Sequence, residues 1–348
     1  MIIIMKTGYD SDELDAVVSR VEEEGLRTHL SIGDNTAIVG VVGVPIPPEL
    51  QSSLETMGGV ESVLRVTKRY KLASREFHPD PTTFQVRDVT IGGDEVVIIG
   101  GPCSVESEEQ TMETAKAVKA AGAKILRGGA FKPRTSPYEF RGLGIDGLKI
   151  LDNVRAETGM PIITEVLTPS DVEAVAEYSD ILQIGARNCQ NYLLLEEAGK
   201  SGRPVMLKRG MSVQIEEWLS AAEYVMAQGN PNVIMCERGI RTFEVITRNT
   251  FDVSAIPVVK RLSHLPVFGD PSHGTGKWYL VPAMAMAAVA SGADGLMIEV
   301  HPNPDHAKSD GAQSLTFQNF AALMPQLRSV AKAIGRTFAE EVEPAYAD

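Results

Sequence analysis

The residues of this chain that could do chemistry recur at one kind of place, the polar step that follows a short apolar run. These steps read Gly101-Pro102-Cys103-Ser104, Arg127 with Lys132-Pro133-Arg134-Thr135, Glu165, Gly185-Ala186-Arg187, Lys208-Arg209-Gly210, Glu237-Arg238-Gly239, Asp270-Pro271-Ser272-His273-Gly274 and Glu299-Val300-His301. Two chemistries separate among them. Cys103, His273 and Glu299, with Asp310 in the polar stretch that follows, offer a thiolate, an imidazole and two carboxylates, a donor set suited to a first-row divalent ion. His301 and His306 offer the same chemistry as His273, and Asp305 the same as Asp310; spacing alone does not separate them. A lone cysteine at a strand end is more often a small buried residue, so the set carries the reading rather than its members.

The second chemistry is cationic. Arg127, Lys132, Arg134, Arg187, Lys208, Arg209 and Arg238 would all point into one mouth, where like charges repel unless anions lie among them. Arginine grips carboxylate or phosphate with two parallel donors, and lysine brings a movable point charge. So many cations fit more than one anionic group, for example two phosphates and a carboxylate. The competing account is a structural ion-pair network with Glu165 and Glu237.

The whole chain sharpens the contrast. Its 348 residues carry a formal net charge of -13, so clustered cations need a local reason. The acidic balance excludes nucleic acid and an anionic membrane surface as partners, because both need a basic footprint. With 43% hydrophobic and 23% charged residues the composition is that of a folded globular chain. There is no apolar run of the ~20 residues a membrane-spanning helix needs. Residues 1–6 read as a strand, not a signal peptide. Three cysteines, an odd number, imply no disulfide framework and fit a reducing, cytoplasmic setting. Neither a dinucleotide-binding nor a P-loop glycine motif is present.

These side chains need elements to hold them. Eight apolar runs, at 96–101, 124–129, 161–166, 180–185, 204–210, 232–239, 266–274 and 295–301, alternate with helix-length amphipathic segments. Near-continuous apolar strands mean a parallel sheet buried on both faces. Eight such units in succession fit a closed (β/α)8 TIM barrel, whose strand ends converge on one C-terminal face. Ahead of it, residues 1–67 read as βαββαβ, a small ferredoxin-like unit. There Asp10 and Glu13 form a helix-capping pair, Gly33-Asp34-Asn35 a hairpin turn, and Pro47-Pro48 a second helix start. The expected division is therefore a ferredoxin-like domain over 1–67, a linker over 68–84, a catalytic barrel over 85–340 and a tail over 341–348.

At these motifs the chain resembles 3-deoxy-D-arabino-heptulosonate 7-phosphate (DAHP) synthase of the short type I subtype, the family that opens the shikimate pathway. The resemblance rests on Gly101-Pro102-Cys103-Ser104, Lys132-Pro133-Arg134-Thr135, Gly185-Ala186-Arg187, Leu207-Lys208-Arg209-Gly210, Glu237-Arg238-Gly239, Ser272-His273-Gly274 and the pair Glu299 and Asp310, in the family's order. The sister family, 3-deoxy-D-manno-octulosonate 8-phosphate synthase, shares several of these but resembles Lys-Ala-Asn-Arg where this chain has Lys-Pro-Arg-Thr. The resemblance implies metal-dependent condensation of phosphoenolpyruvate with erythrose 4-phosphate, releasing phosphate.

Carried over, Cys103, His273, Glu299 and Asp310 hold the metal, Mn2+ first, with Fe2+, Co2+ or Zn2+ as alternatives. Arg187, Lys208 and Arg238 take the phosphate of phosphoenolpyruvate, Arg127 and Lys132 its carboxylate, and Arg134 and Thr135 position erythrose 4-phosphate. From the chemistry itself, Lys132 is the candidate proton donor to the new alkoxide, directly or through metal-bound water, and Lys132, Cys103 and His273 form the expected catalytic set. The small domain resembles the family's regulatory domain, which implies an aromatic amino acid effector, tyrosine or phenylalanine. The family also implies a homotetramer. The sister synthase and a non-catalytic barrel that senses sugar phosphates are the alternatives.

Overall fold

A computed structural model of the chain describes residues 1–33, 36–43, 46–64, 69–133, 136 and 138–339. The turn expected at Asp34 and Asn35 and the tail expected over 341–348 lie outside these residues. The chain divides into two compact units, Met1–Pro81 with Leu262–His264, and Thr82–Arg261 with Leu265–Asp348.

The first unit runs β1 (Ile2–Met5), α1 (Ser11–Glu22), β2 (Arg27–Ile32), β3 (Ala37–Val42), α2 (Pro48–Glu55) and β4 (Val60–Leu64). Its sheet has the order β2-β3-β1-β4, antiparallel throughout, which is the ferredoxin-like arrangement. The helix α1 starts where Asp10 accepts a hydrogen bond from the Glu13 backbone and Glu13 returns one to the Asp10 backbone, satisfying two otherwise open donors. Its periodicity then buries Leu14, Val17 and Val21 against Ile3, Met5, Val39 and Val41, joined by Leu50 and Leu54 of α2. The stretch after β4 is packed rather than solvated, for Tyr70, Leu72, Ala73 and Phe77 are buried. The Phe77 ring lies so close to Gly40 that a Cβ there would come within 2.2 Å of it, so only glycine fits at that point of β3.

The second unit opens with a short hairpin, β5 (Phe84–Val86) and β6 (Val89–Ile91). Eight parallel strands follow and close on themselves: β7 (Val97–Gly101), β8 (Ile125–Arg127), β9 (Ile162–Val166), β10 (Ile181–Ile184), β11 (Val205–Lys208), β12 (Val233–Glu237), β13 (Val267–Gly269) and β14 (Gly295–Glu299). The helices α3 (Glu108–Ala120), α4 (Ile145–Thr158), α5 (Val172–Tyr178), α6 (Tyr192–Lys200), α7 (Ile215–Met226), α8 (Ala255–Leu262), α9 (Pro271–Thr275), α10 (Val281–Ala290) and α11 (Phe317–Ala333) alternate with the strands. The fold is thus a TIM-type barrel with a ferredoxin-like unit before it. Each expected run contains one barrel strand, somewhat shorter than the run.

Inside the barrel, Val97, Ile99, Ile125, Ile163, Ile181, Met206, Ile234, Cys236, Phe268 and Met297 fill the lumen. Val86, Val89 and Ile91 of the hairpin pack into the same cluster and plug the N-terminal end. That plug was not anticipated from the sequence. Among the described residues no helix is long and apolar enough to cross a membrane.

Candidate active site

Successive side chains of a strand point to opposite faces, so the lumen residues fix what comes next. Two positions beyond Ile125, Ile163, Ile181, Met206, Cys236, Phe268 and Met297 stand Arg127, Glu165, Gln183, Lys208, Arg238, Asp270 and Glu299. On β7 the inward series passes Val97, Ile99 and Gly101 and reaches Cys103. The polar residues are therefore the next inward layer of the barrel, set at the C-terminal ends of parallel strands, where such barrels keep their sites. Gly101 makes room for it: its φ is +149°, and a Cβ there would lie 2.1 Å from the Arg127 carbonyl oxygen. Gly185 does the same for Glu165, whose carboxylate would meet a Cβ at 1.9 Å.

Cys103, His273, Glu299 and Asp310 each place one ligand atom within 4.8 Å of the others. His273 Nε2 lies 3.3 Å from Glu299 Oε1 and 3.9 Å from Asp310 Oδ2, and the Cys103 thiol donates to Asp310 Oδ2 at 3.3 Å. The alternatives left open by the sequence fall elsewhere. Asp305 and His306 are exposed on a short turn, and His301 is buried beside Glu106, 3.6 Å away.

The electrostatics of this cluster suit a cation. Burial, and then the Glu299 charge, push the Cys103 thiol up to about 11, so without a cation it keeps its proton. Burial lowers the His273 imidazole, against Asp270 and Glu299, which keeps the neutral, ligating form. Asp270 Oδ2 accepts a hydrogen bond from His273 Nδ1–H at 2.7 Å, leaving Nε2 turned toward the cluster. The Glu299 and Asp310 carboxyls lie below their ordinary values despite burial, held there by His273 when it is protonated and then by Arg127 beside Glu299 and Arg248 beside Asp310. A thiol, a neutral imidazole and two carboxylates, with only a proton between Cys103 and Asp310, fit a divalent metal ion.

Beside the cluster lies a pocket of about 190 Å³ lined by Arg127, Lys132, Arg187, Lys208, Arg238 and Arg248, together with Glu139, Glu165, Gln183 and His273. Arg127 Nη1 donates to Glu299 Oε1 at 2.8 Å and to the Pro102 carbonyl. Lys132 Nζ donates to Cys103 Sγ at 3.1 Å, and Lys208 Nζ to Asp270 Oδ2 at 2.6 Å. Arg238 Nη1 and Arg127 Nε are buried and have no hydrogen-bond partner among the described residues. Arg187 is exposed at the rim. Burial lowers Arg238, whereas Lys132 is held above its ordinary value because negative charge beside it, a Cys103 thiolate first and then Glu165 and Glu299, outweighs the cost of its burial.

The sequence reading needs one correction. Arg209 does not point into the mouth; it bonds Glu237 at 2.9 Å, Asp252 at 2.8 Å and the Val213 carbonyl, and lies 5.9 Å from the Trp218 ring. Adjacent strand residues face opposite ways, so Lys208 and Arg209 cannot both look inward. For Arg209 and Glu237 the competing account, a structural ion pair, is the right one. Arg134 and Thr135 lie outside the described residues.

Several residues of the site were missed or left without a role. Gln183, on β10, was not singled out, and Asp270, just past β13, was quoted among the strand ends but given no role; both are inward positions that strand parity would have found. Arg248, Gln313 and Glu139 come from loops and carry no positional signal; Gln313 Nε2 donates to Glu299 Oε2 at 2.6 Å.

An eight-stranded parallel barrel with a donor cluster and a cationic pocket at its C-terminal mouth defines an aldolase-type barrel enzyme. Residues 69–335 match the model of the DAHP synthetase I family, and residues 1–68 that of the DAHP synthase ferredoxin-like domain. The phospho-2-dehydro-3-deoxyheptonate aldolase of Thermotoga maritima is 48% identical over 335 residues, covering 96% of this chain and 99% of that protein. The crystal structure of the DAHP synthase of that organism superposes with a TM-score of 0.77 at 47% identity, covering 97% of this chain and 98% of the other. A 2-dehydro-3-deoxyphosphooctonate aldolase of Syntrophotalea carbinolica is 37% identical over 269 residues, 72% of this chain and 96% of that protein. The chain belongs to the DAHP synthetase I family.

Proposed function

We propose that this enzyme condenses phosphoenolpyruvate with erythrose 4-phosphate and a water, which adds to carbon 2 of the enol phosphate, to give DAHP and phosphate, the opening step of the shikimate pathway, with a divalent metal that would be held by Cys103, His273, Glu299 and Asp310. The observation that carries the reading is the buried Arg238 Nη1, without a hydrogen-bond partner among the described residues, in a pocket lined by five further cations. A buried donor left without a hydrogen bond is costly, and an anion removes the cost. Arg187, Lys208 and Arg238 take the phosphate of phosphoenolpyruvate, and Arg127 and Lys132 its carboxylate, holding the enol phosphate in register with its partner. Arg134 and Thr135 position erythrose 4-phosphate. The metal, Mn2+ in the first instance, supplies Lewis acidity toward the aldehyde oxygen. Lys132 Nζ stays charged and delivers the proton that neutralises the new alkoxide. Arg238 and its neighbours stabilise the departing phosphate.

The relative matching the whole chain bears the heptonate name, whereas the octonate relative matches 72% of it. This favours erythrose 4-phosphate over arabinose 5-phosphate. The test is consumption of phosphoenolpyruvate by the Mn2+-loaded protein, expected only when erythrose 4-phosphate is added. Equal turnover with arabinose 5-phosphate would move the chain to the sister activity, and binding without phosphate release would make it a sensor.

The ferredoxin-like unit is proposed to bind tyrosine or phenylalanine and lower activity, in a cytoplasmic homotetramer. A truncated form of the Thermotoga maritima enzyme, matching 78% of this chain, has been solved as a structure, so a shortened chain is a practical control. Inhibition by either amino acid should disappear when residues 1–66 are removed; unchanged inhibition would reject a regulatory role.

A further inference from the structure

The two carboxylates of the donor cluster each keep one oxygen toward the other ligands and one away. Asp310 Oδ2 faces Cys103 Sγ and His273 Nε2, while Asp310 Oδ1 accepts from Arg248 Nη1 at 3.3 Å. Glu299 Oε1 faces His273 Nε2 and also accepts from Arg127 Nη1 at 2.8 Å, while Glu299 Oε2 accepts from Gln313 Nε2 at 2.6 Å. Arg248 Nη1 also donates to Gln313 Oε1 at 3.0 Å. The chain of bonds is continuous: Asp310 to Arg248, Arg248 to Gln313, Gln313 to Glu299.

The backbone around it is committed too. Arg248 N donates to the Thr275 carbonyl at 2.9 Å, tying the arm between β12 and α8 to α9, which carries His273. Asp310 itself adopts φ +50°, a left-handed conformation uncommon for a residue with a side chain. Gln313 is buried, so its amide is held rather than free to flip.

We propose that Arg248 and Gln313 form an outer bracket that fixes the denticity of the metal site, occupying the far oxygen of Asp310 and of Glu299 so that each carboxylate presents a single oxygen. An unbracketed carboxylate can turn both oxygens onto a cation, which changes coordination number and the position left for substrate. Arg248 also lines the anion pocket, so the same side chain borders both chemistries of the site. It acts through Asp310 and Gln313 and is a positioning residue, not a catalytic one. The inference rests on the reading of the four-residue cluster as a metal site.

The experiment is Co2+ titration of the full-length protein, followed by the thiolate-to-metal charge-transfer band and the visible ligand-field bands. Arg248→Met should weaken Co2+ binding about 10–100-fold, the usual scale for losing a partner of a ligand. It should also weaken the ligand-field bands as coordination number rises. Arg248→Lys, which restores a donor, should recover part of both, and Gln313→Leu should change the bands in the same direction as Arg248→Met. The melting temperature of the metal-free protein reports whether a variant has lost fold instead. Wild-type affinity and bands in Arg248→Met, or equal behaviour of the Met and Lys variants, would overturn the bracket while leaving the metal site in place. If wild-type protein bound no Co2+, or if Cys103→Ala kept the charge-transfer band, the metal reading would fall and the bracket with it.

Discussion

The barrel buries charge at both ends, and the two ends treat it differently. At the N-terminal end Asp180 accepts from the Ile162 backbone at 2.8 Å and pairs with Arg87 and Arg155. Asp294 accepts from the Val267 backbone at 2.8 Å and pairs with Lys260 and Arg336. Each carboxylate joins the start of one strand to its neighbour, and its charge is answered by two cations of the same unit. At the C-terminal mouth cations crowd a pocket, and Arg238 Nη1 and Arg127 Nε are left without hydrogen-bond partners among the described residues. Closed networks hold strands in register; an open one stores binding capacity for something not part of the chain.

This contrast can be broken by substitution, and the largest effect belongs to the mouth. Arg238→Met should lower kcat/KM for phosphoenolpyruvate about 10²–10³-fold, the scale for losing one donor to developing charge. Its thermal stability should be unchanged or higher, because a buried donor without a hydrogen bond among the described residues is removed. Thermal melts alongside steady-state kinetics decide it; a large loss of stability would mean the guanidinium is structural.

Asp294→Ala should do the reverse, costing about 2–4 kcal/mol once the part exposure of its cations is allowed for. Denaturant unfolding should register that loss while KM stays at its wild-type value. Arg209→Met sharpens the comparison, since Arg209 follows a mouth strand yet is wired like the floor. It should destabilise by about 3 kcal/mol, because Glu237 is left buried and unpaired, with KM for phosphoenolpyruvate unchanged. A raised KM with no stability loss would return Arg209 to the pocket.

The smallest effect lies in the first unit. Burial, against the bond to the Leu72 carbonyl, lowers His264 from 6.5 to about 4. The folded state therefore binds this proton more weakly than the unfolded chain does. The contribution to stability is fully present above the unfolded value and is lost as pH falls from about 6.5 toward 4. Unfolding free energy should drop by about 1 kcal/mol between pH 7 and 5.5 on this account. His264→Gln should remove that slope, as urea titrations at the two pH values would show.

Much of this architecture was legible in the sequence, and the gaps have physical causes. Each barrel strand was visible because a strand buried on both faces must be apolar along its length, with glycine where a neighbour's side chain crosses it. The Asp10–Glu13 capping pair was visible because both halves are local. The floor hairpin was not: three residues per strand leave no period to read, and its turn uses Arg87 at φ +54°, without the expected glycine or asparagine. In the site, Cys103, His273, Glu299 and Asp310 were chosen by residue type and resemblance, and the fold brings them together. Arg209 was misjudged because charge was counted without strand parity. Arg248 and Gln313 were out of reach, because their role depends on which carboxylate oxygen faces the cluster, and no spacing encodes that.

The most direct test is a crystal of the protein soaked with Mn2+ and phosphoenolpyruvate, with anomalous scattering used to find the metal. The ion should sit among Cys103 Sγ, His273 Nε2, Glu299 and Asp310, with the phosphate against Arg187, Lys208 and Arg238. An ion bound instead at His301 and Glu106, or a phosphate held outside this pocket, would contradict the account.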